Sequence, residues 1–405
     1  MNDVVINKVT GGLGRRFPLT DMISGLLANG PSLPAALHGT VYKLRSVDDA
    51  IAMGITAAYD EAMNVLVYEH IKEFFRMNAN GELYFMLVPQ TYMVVDVETP
   101  VTYAMMLDPT LTNYAKKLLT SPVANGKINQ LAVAFNPSVA VTNDTQLLAA
   151  IAKAELLVKD EYAKHRPVHV LLEGKGFTSS SISDLRELNA PGVSVMVGQN
   201  ATVAGSAAAF NKYGAVGTLL GAVSAAGVNE SISWVLKFNL FGDNLTDFAI
   251  SNVASAALTP SLLEDINEAG YIFFIRHAQR DGIYFNESST ATSVTDDYCY
   301  IENNRTINKG TRLIRQALLP YLNSPVPVNT TNGRIDPVAI KAMEAAGSKA
   351  LREGMNGEVS GFSFRIAEDQ DILSTSELQC TLEITPTGTA RKIRVSIGFS
   401  NPFNA

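Results

Sequence analysis

Four short, strongly apolar runs recur through the first half of the chain: Leu83 to Val88, Gln130 to Phe135, Val168 to Leu172 and Val193 to Val197. Their length suits strands, and their near-continuous apolarity predicts strands covered on both faces. The segments between them are long enough for helices. From Thr56 to Met77 the apolar residues Tyr59, Met63, Leu66, Val67, Ile71, Phe74 and Phe75 follow a 3.6-residue spacing, so one helix is expected there, with His70 packed on its buried face. Further helices are expected over Asp144 to Lys164, from a serine-rich start at Ser179 to Ser183, over Ala204 to Ala226, and over Ser261 to Ala269 ahead of an apolar strand Tyr271 to Ile275. Strand and helix in alternation imply an α/β domain with a largely parallel central sheet and flanking helices.

The last third has a different pattern. A long helix is expected over Asp297 to Leu322, and another starts at Asp336-Pro337, an N-cap followed by proline at the first helical position, and ends near Gly354. Three alternating strands follow: Phe362, Phe364, Ile366; Leu378, Cys380, Leu382, Ile384; and Ile393, Val395, Ile397, Phe399. The last two read as a hairpin through Pro386-Thr387-Gly388, with Cys380 on the buried face. This is an α+β C-terminal domain with antiparallel strands. At the other end, Val4, Val5, Ile6 and Val9 form a short extended segment, cut off by Gly11, Gly12 and Gly14 before any local partner appears. The arrangement suggests extended arms at both termini: an arm at 1–20, an α/β core of one or two subdomains at 21–270, and the C-terminal domain at 271–405.

Composition excludes several classes. Charged residues make up 18% and hydrophobic residues 47% of 405 residues, a globular balance, and the net charge of -7 argues against a nucleic-acid partner. Two cysteines, Cys299 and Cys380, cannot build a disulfide framework or a cysteine-rich zinc site. The first residues lack the pattern of a signal peptide, and no apolar run of about 18 residues invites membrane insertion. The product is expected to stay in the cytosol where it is made.

Catalytic constellations are sparse. Glu173-Gly174-Lys175-Gly176 lacks the glycine spacing and the Gly-Lys-Ser/Thr ending of a phosphate loop. His165 and His169 have no cluster of carboxylates or thiols beside them, so no metal is expected. Arg276-His277, at the end of an apolar strand, resembles the start of the histidine phosphatases and would carry phosphoryl transfer. His277 is the last histidine of the chain, however, and those enzymes need another downstream. No cofactor and no enzymatic activity are expected. On the long helix, Arg305, Lys309 and Arg312 share a face opposite Ile307, Ile314, Ala317, Leu318 and Tyr321. Such a basic stripe could meet an acidic partner.

Three segments in order carry a family resemblance. Ser46-Val47-Asp48-Asp49-Ala50-Ile51, followed by the helix ending His70-Ile71-Lys72-Glu73-Phe74-Phe75 and the strand Leu83 to Val88, is similar to contractile tail sheath proteins. So is Leu262-Leu263-Glu264-Asp265-Ile266-Asn267-Glu268-Ala269-Gly270-Tyr271-Ile272, a helix ending before a strand. Asp297-Tyr298 through Asn304-Arg305-Thr306 occupies the place where better-known sheaths carry paired arginines. The resemblance implies a virion tail or injection-particle subunit that stacks as hexameric rings around an inner tail tube protein and meets a baseplate and a tail terminator. It also implies contraction, which drives the tube through an envelope, and terminal β-arms that join a sheet of a neighbouring subunit. Those arms would be Val4 to Val9, hinged at Gly11, Gly12 and Gly14, and Ile393 to Phe399. Arg305, Lys309 and Arg312 would face the tube.

Overall fold

The computed structural model describes residues 20–242 and 244–399. They form two compact units, divided between Lys309 and Gly310 rather than near Tyr271, where the sequence suggests that the C-terminal domain opens.

The first unit is built on a six-stranded sheet. Its strands are β1 (Ile23–Asn29), β2 (Val41–Leu44), β3 (Glu82–Val88), β4 (Gln130–Ala134), β5 (His169–Glu173) and β6 (Val193–Met196), in spatial order β2-β3-β1-β4-β5-β6. All neighbours run parallel except β2, which is antiparallel to β3 at the edge. Every residue of β1, β4, β5 and β6 is buried, so the sheet is covered on both faces. The largely parallel α/β class expected from the apolar runs is what the chain adopts.

Helix α1 (Tyr68–Met77) packs closely against α3 (Val216–Ala225), which in turn lies on β1, β4 and β5. The closeness depends on glycine. A Cβ at Gly217 would stand 2.3 Å from the His70 carbonyl oxygen, and one at Gly221 2.7 Å from that of Phe74. Helix α2 (Thr145–Ala163) covers β5 and β6. None of the described helices is long and apolar enough to cross a membrane.

Several expected helices are cut shorter, each for a local reason. The span Thr56 to Met77 is two helices, Ala57–Met63 and α1, because Asn64 turns left-handed (φ 52°) at the end of the first. Val65, Leu66 and Val67 then dive into the core instead of continuing a helical face. The span Ala204 to Ala226 likewise breaks into Ala201–Ser206, a 3-10 turn at Ala208–Phe210, and α3. Its break holds Gly214 so tightly against β6 that a Cβ would fall 2.0 Å from the Met196 carbonyl oxygen. Ser179 to Ser183 start no helix; a 3-10 turn, Leu185–Glu187, stands in its place. Of Tyr271 to Ile275 only Phe274 and Ile275 join a ladder, with Tyr284 and Phe285.

In the second unit the long helix α5 (Pro337–Gly354) carries the antiparallel pair β7 (Val359–Ile366) and β8 (Cys380–Pro386). Helix α4 (Ile301–Leu318) runs across the division between the units. Asp336 caps α5 through Val338 N–H, with Pro337 behind it, as its sequence predicts. Phe362, Phe364 and Ile366 pair with Ile384, Leu382 and Cys380, so one face of the ribbon is apolar and rests on Ile340, Met343 and Leu351.

Asp60 explains why α1 starts where it does. Its Oδ1 accepts from the N–H groups of Val67 and Tyr68 at 3.0 Å, and its Oδ2 from that of Glu69 at 2.9 Å. Burial pushes this carboxyl up to about 7, although the three N–H groups pull the other way. Asp60→Ala removes a cap and strands a buried donor, so it should cost about 2–3 kcal/mol in a denaturant titration. A loss within about 0.5 kcal/mol, the usual range for a plain surface site, would show that the cap is dispensable.

Candidate assembly interface

Ribbon β7–β8 has two outer edges, and among the described residues neither carries a further strand. The chain leaves β8 at Pro386 and does not turn back along it. Residues 387–399 have no helix or strand, and Ile393, Val395, Ile397 and Phe399 are 77% to 110% exposed. The expected hairpin through Pro386-Thr387-Gly388 is therefore not formed; β8 pairs with β7 instead. Alternation of apolar residues states that a strand needs a covered face, but not which chain covers it. Here the apolar face of the ribbon already lies on α5, and no described element of the same unit covers the tail. Cys380, expected to be buried on this ribbon, is exposed near its end.

The second expected arm, Val4, Val5, Ile6 and Val9 with Gly11, Gly12 and Gly14, lies outside the described residues.

The basic stripe is not a surface feature. Arg305 is buried, and its guanidinium donates to the carbonyls of Ala226 (3.2 Å), Gly227 (3.0 Å) and Asp21 (3.5 Å). It caps the C-terminal end of α3, where unpaired carbonyls and the negative end of the helix dipole favour a cation. Thr306 donates to the Val228 carbonyl in the same loop. Lys309 pairs with Asp21 at 2.7 Å, its side chain only 12% exposed. Arg312 is half-buried and falls in the second unit. Two of the three residues expected to face a tube, Arg305 and Lys309, thus hold the first unit together. Sequence spacing put them on one helical face but could not show that α3 ends beneath it.

Arg276 and His277 are both exposed. Arg276 donates to the Thr246 carbonyl at 2.7 Å and meets Asp247 at 3.3 Å, and the His277 ring rests near Tyr284. Among the described residues no group of three or more His, Cys, Asp or Glu could hold a metal ion.

A buried cluster of ionisable groups, Glu173, Lys175 and His70, belongs to the core. Glu173, at the end of β5, accepts from Phe135 N–H at 2.7 Å and Gly214 N–H at 3.3 Å. Lys175 lies 4.0 Å from it and His70 3.9 Å away on its other oxygen. Burial pushes the Glu173 carboxyl up to about 7, with Lys175 and the two N–H groups pulling it down. Burial drives His70 down to about 3, with Lys175 adding to the effect. His70 Nδ1 accepts from Gly217 N–H at 3.2 Å, as a neutral ring must. These contacts tie β5 to α1, α3 and the loop before α3.

With this geometry, an α/β unit joined to an α+β unit that ends in an uncovered apolar tail, the fold is that of contractile tail sheath proteins. The chain belongs to the DUF2586 family, whose N-terminal domain model matches residues 1–289 and whose C-terminal domain model matches residues 297–404. No curated protein sequence matches the chain. Among solved structures, a chain of the anti-feeding prophage baseplate superposes with a TM-score of 0.62 at 13% identity, covering 99% of each chain. The anti-feeding prophage helical sheath in its contracted state gives 0.62 at 15% identity, covering 98% of this chain and 100% of that one. The sheath complex of the extracellular contractile injection system PVC, also contracted, gives 0.57 at 12% identity and 100% coverage of both chains.

Two outcomes check this assignment of roles. Arg305→Ala should lower the stability of the unassembled protein by about 2–3 kcal/mol, because the α3 carbonyls lose a charged donor; a tube-facing arginine would leave the monomer unchanged. Glu173 carries a pH signature. Its folded pKa lies above the unfolded value, so the native state holds the extra proton and this group's stabilisation is present at low pH. That stabilisation is lost as pH rises from about 4.5 through about 7. Asp60 acts in the same sense and the lowered His70 in the opposite one, so the comparison must be with Glu173→Gln. Between pH 5 and pH 8 the wild type should lose stability relative to Glu173→Gln in parallel denaturant titrations; a constant difference would place the proton elsewhere.

Proposed function

We propose that this chain is the structural subunit of a contractile sheath, and that its work is mechanical rather than catalytic. In this reading it polymerises as stacked hexameric rings around an inner tube, between a baseplate and a tail terminator. Contraction then drives the tube through a target envelope. The observation that carries the reading is the exposed apolar tail Ile393 to Phe399 beside a two-stranded ribbon with open edges, in a chain of sheath fold. Strand addition suits a lattice that must change pitch. Main-chain hydrogen bonds are strong in sum, and the joints on either side can rotate while the added strands stay paired. Two packings of one subunit, differing in free energy, can store the work of contraction with no nucleotide. Phosphoryl transfer at Arg276 and His277 has no such support, since both side chains stand on an open surface.

The N-terminal segment is assigned the complementary role: Val4 to Val9 of one subunit pairs with the C-terminal strand region of a neighbour, with Gly11, Gly12 and Gly14 as the hinge. Deleting residues 2–10 should leave a soluble protein with near-normal circular dichroism that no longer sediments as a polymer or forms cylinders in negative stain. Full assembly of the truncated protein, or its outright unfolding, would place the segment in the subunit's own core and end this version of the proposal.

A further inference from the structure

Strand order reverses at β1: the chain proceeds from β1 to β3 on one side, and β4 lies on the other. In open parallel sheets the crevice outside the carboxyl ends of the strands at such a point is where ligands settle. The crevice is present here. Its floor is a closed amide network. The Asn29 amide donates to the Asn136 carbonyl, the Asn136 amide donates to the Asn29 carbonyl, and Leu66 N–H and Gln90 both bond Asn136, all at 2.8–2.9 Å. Above it is a cavity of about 550 Å³, the size of a small-molecule site.

The lining has one sign of charge. Lys175 and Lys212 reach it, together with Asn64, Gln90, Asn136 and Thr142, and none of the described lining residues is acidic although the chain carries a net charge of -7. Lys175 is buried. Its ammonium donates to the Ala209 carbonyl at 3.0 Å and stands 4.0 Å from Glu173, beyond hydrogen-bond reach. An ammonium has three donors, so the contacts seen leave it capacity for a further acceptor. Burial also holds its proton affinity below the usual lysine range, with Glu173 pulling the other way, and a second anion would relieve that cost. Lys212 donates to the Thr142 carbonyl at 2.9 Å and likewise retains donors.

We propose that this crevice binds a small oxyanion, of the phosphate or carboxylate class, between Lys175 and Lys212. Such a site is independent of the sheath reading, which needs no ligand, and would join β5 to the loop between Ala208 and Lys212 and to the segment ahead of α2. A ligand bound there would tighten three segments that the strands alone do not connect.

The test is thermal unfolding of the full chain titrated with sodium phosphate and, separately, sodium citrate, each against sodium chloride at matched ionic strength. A saturable rise in Tm with at least one of the two oxyanions, absent with chloride, is the expected result. Lys212→Met loses its bond to Thr142, so its response is measured from its own ligand-free Tm, and its half-saturation point should weaken about tenfold, the effect of one lost charge-assisted contact. Lys175→Met should abolish the response; if that variant does not fold, Lys212→Met decides. The proposal is overturned if both oxyanions act no differently from chloride, or if Lys212→Met responds with unchanged half-saturation. Preference between phosphate and citrate identifies the class of ligand.

Discussion

Ile393, Val395, Ile397 and Phe399 stand in water after a β-ribbon that, among the described residues, has no further strand on either edge. Each large apolar side chain left exposed forgoes about 1.5–3 kcal/mol of burial, and a run of four at period two is a strand in search of a sheet. No described element of the second unit covers it. In the reading proposed above, a strand of a second copy of the chain covers it.

The first unit is the rigid counterpart. Its parallel sheet is buried on both faces, its helices approach closely through Gly217 and Gly221, and several of its buried charges bind the backbone of more than one element. Glu173 fixes two backbone N–H groups and Arg305 closes the end of α3. A unit in which buried polar groups are satisfied from several elements at once resists gradual deformation. Force applied to a lattice of such units would be taken up at the joints between them rather than inside the sheet.

Much of this architecture is legible in the residues. The apolar runs mark β3 to β6, Asp336-Pro337 marks the start of α5, and the period-two pattern marks β7 and β8. The breaks are less legible, because they depend on distant contacts. Asn64 ends a helix that 3.6-residue spacing would continue, and Asp60 restarts it by gathering three N–H groups. The hairpin Thr91–Val94 with Val97–Pro100 gives no turn signal, since Val95 (φ 47°) and Asp96 (φ 62°) sit where asparagine and glycine are usual. Arg305 shows the limit most clearly. Helical periodicity placed it on a face with Lys309, but only the packing of α3 shows that this face is partly interior. For the interface itself, the sequence marks Ile393 to Phe399 as a strand, whereas in the structure these residues are exposed and pair with no described strand.

Backbone hydrogen exchange over residues 392–399 tests this account most directly, measured on the dispersed protein and on the assembled polymer. The account predicts exchange near the rate of an unstructured chain in the dispersed protein. In the polymer, alternate amides should slow by about 100-fold or more as the strand joins a neighbour's sheet. Amides that remain unprotected in the polymer, or that are already protected in the dispersed protein, would contradict it.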